Sequence, residues 1–163
     1  MLKFVARACA ALAAAVALSA ALAAPAPLSP RPGWAIITTP HTFAALSDRL
    51  DQAIADAKMN LVNSASASQG AKAQGISIPG NRVIGVFRND FARRMLAASI
   101  PAGIEAPIRF YITENADGGA ALSYRTPSAT FAPYFEDDGP ALRELATELD
   151  AIFAGIAAQA TKP

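Results

Sequence analysis

The sequence predicts an α+β domain in which two long helices cover one face of a mostly antiparallel sheet. Three observations predict this class. Five short runs rich in β-branched and aromatic residues are separated by turn residues. Two longer segments, beginning near residues 43 and 140, carry apolar residues at helical spacing. The resulting order, β-α-β-β-β-β-α, is typical of helices segregated to one face of an antiparallel sheet.

The first strand and the first helix are predicted from residues 33–57. Residues 33–39 (GWAIITT) are short, apolar and β-branched, and Pro40 ends the strand. Thr42 then has the position of a helix N-cap. The apolar side chains of this helix recur on one side, with charged residues on the other. They are Phe43, Leu46, Leu50, Ile54 and Ala57.

Four further strands and a second long helix follow. The strands are predicted at residues 61–64, 82–88, 108–114 and 120–124. The small, polar residues 64–75 are predicted as a loop with one turn of helix, and residues 127–135 as irregular. Asp90 is predicted to cap a short helix at 91–98. Residues 115–119 (NADGG) indicate a hairpin, because Asp-Gly accommodates positive φ. The last helix opens at Asp138, Gly139 and Pro140, and an apolar stripe follows. The stripe consists of Leu142, Leu145, Leu149, Ile152, Phe153 and Ile156.

The start of the chain predicts export. Lys3 and Arg7 precede an uncharged apolar run at residues 8–24, and Ala21-Leu22-Ala23 is a small-x-small cleavage site. This order is typical of a secretory signal peptide at residues 1–23. The run is shorter than the ~20 residues of a spanning helix, and prolines follow it. We therefore expect a Pro-rich linker at 24–32, a single domain at 33–158, and a periplasmic or secreted protein without stable membrane insertion.

Composition excludes several kinds of chemistry. The chain has 163 residues, and removing Lys3 and Arg7 leaves 12 basic against 13 acidic side chains, a net charge of −1. This balance argues against nucleic acid as a partner. The single cysteine, Cys9, lies in the signal peptide, so the mature chain is expected to have no disulfide and no thiolate ligand.

Catalytic and metal motifs are also missing from the sequence. His41 is the single histidine and is interpreted as a turn residue hydrogen-bonded at the surface. Neither a nucleophile elbow nor a nucleotide-binding glycine loop occurs, so no cofactor and no metal are predicted. The acidic run at residues 136–138 could bind calcium, but its spacing is not that of an EF-hand loop, and the interpretation as acids favoured at the start of a helix is preferred.

Five short motifs, in this order and spacing, resemble the domain of unknown function 302 family. They are Thr42-Phe43, Phe87-Arg88-Asn89, Ala106-Pro107-Ile108-Arg109, Asp117-Gly118 and Ser123-Tyr124-Arg125-Thr126-Pro127. The resemblance covers about residues 33–157. It departs at residues 63–65, where this chain has Asn-Ser-Ala in place of an Asp-His pair. The resemblance implies a fold like the TATA-box-binding-protein superfold and a homodimer. It implies no reaction, and the superfold gives no reason to expect DNA binding.

A cluster of cationic and aromatic residues provides the candidate site. Its members lie on or beside the sheet: Arg88, Arg109, Tyr111, Tyr124 and Arg125. Strand periodicity places Arg109 and Tyr111 on one face, opposite Phe110 and its neighbours. Two helices covering the apolar face would leave these two residues on the open one. Three interpretations remain for this surface: a solvated face, a dimer interface, or a site for a small anion or carboxylate.

Two functions of different classes follow from these residues. The first is a non-catalytic binding module for a small ligand or a protein partner. The alternative is an enzyme that uses Arg, Tyr and carboxylate groups, Glu114 among them, on the open face of the sheet. The lack of His and Cys in the predicted strands favours the binding module.

Overall fold

A computed structural model describes residues 28–136 and 139–163 of the chain. The predicted signal peptide, its cleavage site and the first part of the linker lie outside the described residues, as does the acidic pair Asp137-Asp138. The strands are β1 (Trp34–Thr39), β2 (Asn60–Ala65), β3 (Asn81–Phe87), β4 (Ile108–Glu114) and β5 (Ala120–Arg125). The helices are α1 (Phe43–Asp56), α2 (Ala67–Ala73), α3 (Asn89–Ala98), α4 (Pro127–Phe131) and α5 (Pro140–Thr161), with 3₁₀ turns at Pro101–Glu105 and Ala132–Tyr134.

The five strands form one sheet in the order β1-β5-β4-β3-β2, and each neighbouring pair is antiparallel. The predicted fold class is therefore confirmed. The apolar face of the sheet packs against α1 and α5, of 14 and 22 residues. The description of two covering helices is incomplete, because Phe91 and Met95 of α3 and Phe131 of α4 enter the same core.

Both long helices begin where the sequence predicts. Thr42 caps α1, since its Oγ1 accepts a hydrogen bond from the Ala45 amide at 3.2 Å. Gly139 precedes α5 with a φ of 76°, a conformation that glycine adopts without strain, and Pro140 follows in the first turn. The apolar stripes of the two helices are buried against each other and against the sheet.

The register of β4 with its neighbours separates two sets of side chains. Phe110 pairs with Tyr124 of β5, and Tyr111 pairs with Ser123. Phe110 is fully buried and stacks on Phe153 of α5 with ring centroids 4.6 Å apart. Arg109 is exposed and Tyr111 is partly exposed. The predicted alternation along β4 is therefore confirmed.

Three local predictions were wrong. Residues 67–73 form helix α2, because the Ser66 hydroxyl accepts from the Gln69 amide and caps it. Residues 127–131 form α4, which Thr126 caps in the same way. Asp90 is not the cap of α3. The helix begins two residues earlier than predicted, at Asn89, and the Asp90 carboxylate instead accepts from Arg88 Nε at 2.8 Å.

Across the described residues, every helix is too short or too polar to cross a bilayer.

Candidate functional site

A groove of about 600 Å³ lies on the open face of the sheet. All five strands contribute residues to the groove. The register places Tyr111 beside Val83 on one side and beside Ser123 on the other. Arg125 and Trp34 are paired across β5 and β1 on the same face. The groove is therefore a product of strand pairing, since its residues come from distant parts of the sequence.

Arg109 and Tyr111 reach the groove from β4. Both side chains point away from the helices, because they alternate with Phe110 and its buried neighbours. Within the described part of the chain, the guanidinium of Arg109 has no hydrogen bond and no ion pair. Its five donors are accordingly directed to solvent or to a bound molecule.

Arg125 lies at the end of β5, where the chain turns into α4. One terminal nitrogen of its guanidinium donates to the Ala129 carbonyl at 2.7 Å. Because the Thr126 cap fixes the first turn of α4, this bond holds the Arg125 side chain against a rigid element. Opposite it, Trp34 remains 37% exposed, and the Arg31 guanidinium lies over its ring at 5.3 Å.

Tyr124 is a core residue that borders one end of the groove. Its ring is 6% exposed and lies 5.2 Å from the ring of Phe110 and 5.6 Å from that of Phe153. Pairing with Phe110 turns Tyr124 to the helix side, so among the predicted candidate residues it is a buried one. Burial, and to a lesser extent the Asp150 carboxylate, raises the pKa of the Tyr124 hydroxyl, which keeps it protonated.

One carboxylate lines the groove at this end. Glu105, in the first 3₁₀ turn, accepts a hydrogen bond from the Tyr134 hydroxyl at 3.0 Å. This bond raises the pKa of Tyr134 and engages one of the two carboxylate oxygens of Glu105. In the described residues, neither Arg109 nor Arg125 forms an ion pair with it.

Arg88 is not part of this groove. It lies at the start of α3, donates to both oxygens of Asp90 and stacks over the Phe91 ring at 4.3 Å. The same contact lowers the pKa of Asp90, mainly through the hydrogen bond from Arg88. Arg88 therefore acts as a helix-terminus residue, away from Arg109 and Arg125.

His41 also lies outside the groove, as the sequence indicated. Its Nε2 lies 2.6 Å from the Lys162 carbonyl oxygen, so Nε2 carries the proton and donates. Arg49 donates to the same oxygen at 2.7 Å. His41 thus ties the end of α5 to the start of α1 and has a structural role.

Trp34, Ser123 and Glu105 are groove residues that the sequence analysis missed. Trp34 had a usable signal: an aromatic residue at the start of an antiparallel edge strand. Ser123 had only its place in the motif at residues 123–127, because both faces of β5 are buried up to Tyr124 and show no alternation. The position of Glu105 depends on the 3₁₀ turn, which the sequence did not predict.

These features define a small α+β protein with a ligand-sized groove on the open face of its sheet. A sequence model of the family described as "Domain of unknown function DUF302" matches residues 36–160. The chain belongs to this family, and the resemblance in its motifs is confirmed.

One solved structure similar to this chain is the "uncharacterized conserved protein DUF302 from Bacillus stearothermophilus". The two share 14% identity, with a TM-score of 0.69 over 80% of this chain and 99% of that one. At this identity the likeness shows the fold alone. A search of curated proteins finds no match to the sequence.

Proposed function

We propose that this chain is an exported, non-catalytic module that binds a small anion, such as a carboxylate, in the groove on the open sheet face. The observation that carries the proposal is the convergence of two arginines on one groove. Arg109 and Arg125 both line it, and no carboxylate in the described residues forms an ion pair with either. The one acid of the groove, Glu105, accepts a hydrogen bond from Tyr134, and the groove keeps a net positive charge that favours an anion supplied from outside.

The chemistry of the groove suits a small organic acid. A guanidinium presents paired donors that match the two oxygens of a carboxylate. The Tyr111 side chain adds a polar contact and Trp34 adds an apolar wall, whereas the Ser123 hydroxyl is buried and donates to the Tyr111 carbonyl. A volume of about 600 Å³ is within the range of small-molecule sites. The ligand would thus be oriented by its charged end.

An enzymatic function is less well supported by this geometry. General acid–base chemistry on the open face would need a titratable group within hydrogen-bond reach of a substrate held by Arg109. Glu105 is the acid of the groove, but its recorded hydrogen bond is to Tyr134. Tyr124 is held in the core with a raised pKa, which disfavours its use as a base.

Export and self-association complete the proposal. Export is supported by the charged, apolar and small-residue order of residues 1–23. A homodimer follows from family resemblance. A protein partner on the open face would compete with the small ligand for Arg109 and Arg125, so a competition experiment can distinguish the two occupants.

Titration calorimetry with succinate and with inorganic phosphate tests the ligand site. We expect Arg109→Ala to weaken binding by about tenfold or more, since a hydrogen bond to a charged group is lost. Arg93→Ala is the matched control, because it removes the same charge from an exposed position on α3 outside the groove. Equal affinities in the two variants, or no binding of either anion to the wild-type protein, would contradict the proposal.

A further inference from the structure

A second cleft, of about 950 Å³, lies on the opposite side of the sheet from the groove. It is enclosed by the first half of α1, by α2 and by residues 75–80. Strand register places its sheet residues, Ser64, Arg82 and Glu114, on the helix-covered face. We propose that this cleft binds a neutral, polyhydroxylated ligand of the saccharide class. The proposal is independent of the anion site, because the two share no residues.

The floor of the cleft is held by an ion pair. Arg82 Nη1 donates to both carboxylate oxygens of Asp51 at 3.0 Å, and Arg82 Nε donates to the Ser64 hydroxyl at 2.9 Å. The guanidinium is 19% exposed. These bonds tie α1 to β2 and β3 and neutralise the Arg82 charge, so the floor does not attract an anion.

The loop that borders the cleft is fixed by two further contacts. The Gly80 amide donates to Glu114 Oε2 at 2.6 Å. The ring of Phe43 lies so close to Gly80 that a Cβ there would be 2.7 Å from a ring carbon. Phe43, Ile76 and Ile78 give the cleft an apolar side, and Ile76 is 53% exposed. A sugar ring has apolar C–H faces and a polar edge, which match the apolar side and the polar floor of the cleft.

Ser47 provides an unsatisfied polar group in the cleft wall. The residue is 8% exposed, and its buried hydroxyl has no hydrogen-bond partner among the described residues. Buried hydroxyls in proteins are normally paired, because leaving one without a partner carries a desolvation penalty. Ser47 borders the cleft, and its hydroxyl is closed off in this rotamer, so rotation about the Cα–Cβ bond would let a ligand hydroxyl supply the partner.

The remaining polar groups indicate a neutral ligand. Asp48 and Glu114 are acceptor-only when ionised, whereas Lys72 is donor-only. A ligand anion would be repelled by the first two, and a ligand cation by the third. A hydroxyl both donates and accepts, so a polyol pairs with all three. The charged residues of the cleft have a net charge of −1, so no strong electric field opposes a neutral molecule. They are Asp48, Asp51, Lys72, Arg82 and Glu114.

A matched pair of α1 variants tests the cleft in the full chain. Ala44 lines the cleft and Ala45 does not, although both are exposed on the same helix. Ala44→Trp should fill the cleft, and Ala45→Trp should leave it open. The probes are unmodified mono- and disaccharides at millimolar concentration, with glycine as a zwitterion and acetate as an anion, followed through amide shifts in ¹H–¹⁵N NMR spectra.

We expect at least one saccharide to shift the amides of Ser47, Gln69, residues 75–78 and Gly80. The shifts should persist in Ala45→Trp and vanish in Ala44→Trp, and Ser47→Ala should weaken binding about threefold to tenfold. Three results overturn the proposal: no saccharide binds to folded wild-type protein, binding survives in Ala44→Trp, or only glycine or acetate shifts the cleft amides. None of these results bears on the anion groove.

Discussion

Replacing Phe110 with alanine is the substitution that most strongly tests the packing of the sheet on its helices. Phe110 is fully buried, stacks on Phe153 at 4.6 Å and meets Tyr124 edge-on at 5.2 Å. Truncation of a buried phenylalanine costs about 3–5 kcal/mol, from lost transfer free energy and the cavity left behind. Since domains of this kind are stable by about 5–15 kcal/mol, Phe110→Ala should remove about a fifth or more of the total.

The neighbouring residue supplies the control. Arg109 is exposed and makes no hydrogen bond or ion pair in the described residues, so Arg109→Ala should change stability by about 0.5 kcal/mol or less. Urea unfolding followed by circular dichroism gives both values, and an unchanged slope with denaturant shows that the midpoint reports stability. If Phe110→Ala does not fold, Phe110→Leu offers a milder form of the same test.

Two results would refute this reasoning. If Arg109→Ala destabilises the protein as much as Phe110→Ala, the two faces of β4 are not divided as the register indicates. If Phe110→Ala costs less than about 1 kcal/mol, the residue does not occupy a close-packed core.

Four further predictions concern other parts of the chain. Thr42→Ala should cost about 1 kcal/mol in urea unfolding, because it removes the cap of α1; a change within error would contradict the capping geometry. Arg88→Gln should raise the pKa of Asp90 in an NMR titration, since Arg88 is the main cause of its lowered value. Because the pKa of Asp90 is lower in the folded than in the unfolded state, the Arg88–Asp90 pair stabilises the fold above the unfolded pKa, and this stabilisation is lost as pH falls through the folded pKa. If the Asp90 titration curve does not move, the contact is excluded. EDTA should leave the unfolding midpoint unchanged, and a drop would point to the acidic residues at 136–138. N-terminal sequencing of exported protein should begin at or near Ala24, and a start at Met1 would exclude cleavage.

The fold was predictable because its main signals are local. The apolar stripes of α1 and α5 follow helical spacing, and Arg109 and Tyr111 alternate with Ile108, Phe110 and Ile112 at the period of a strand. The alternation of side chains is visible within a single strand, so the two faces of β4 could be assigned without knowing which strands pair with it.

The site was only partly predictable, because it depends on pairing between strands. Both faces of β5 are buried, including Ala121 and Ser123 on the open side at 1% exposure each, so its sequence carries no alternation that would place Tyr124. Helix α2 consists of small and polar residues without an apolar stripe, and the Ser66 cap was its one usable signal. The second cleft joins residues from α1, α2, β2, β3 and β4, and no single segment of the sequence indicates it.

The central claim is that Arg109 and Arg125 hold a small anion on the open face of the sheet. Native mass spectrometry of the protein, purified without denaturation from the cells that make it, tests this claim most directly. We predict an added small mass on the wild-type protein that is absent from the Arg109→Ala/Arg125→Ala double variant and retained in Arg93→Ala. A wild-type protein with no bound molecule, or a bound molecule that the double variant retains, would contradict the claim.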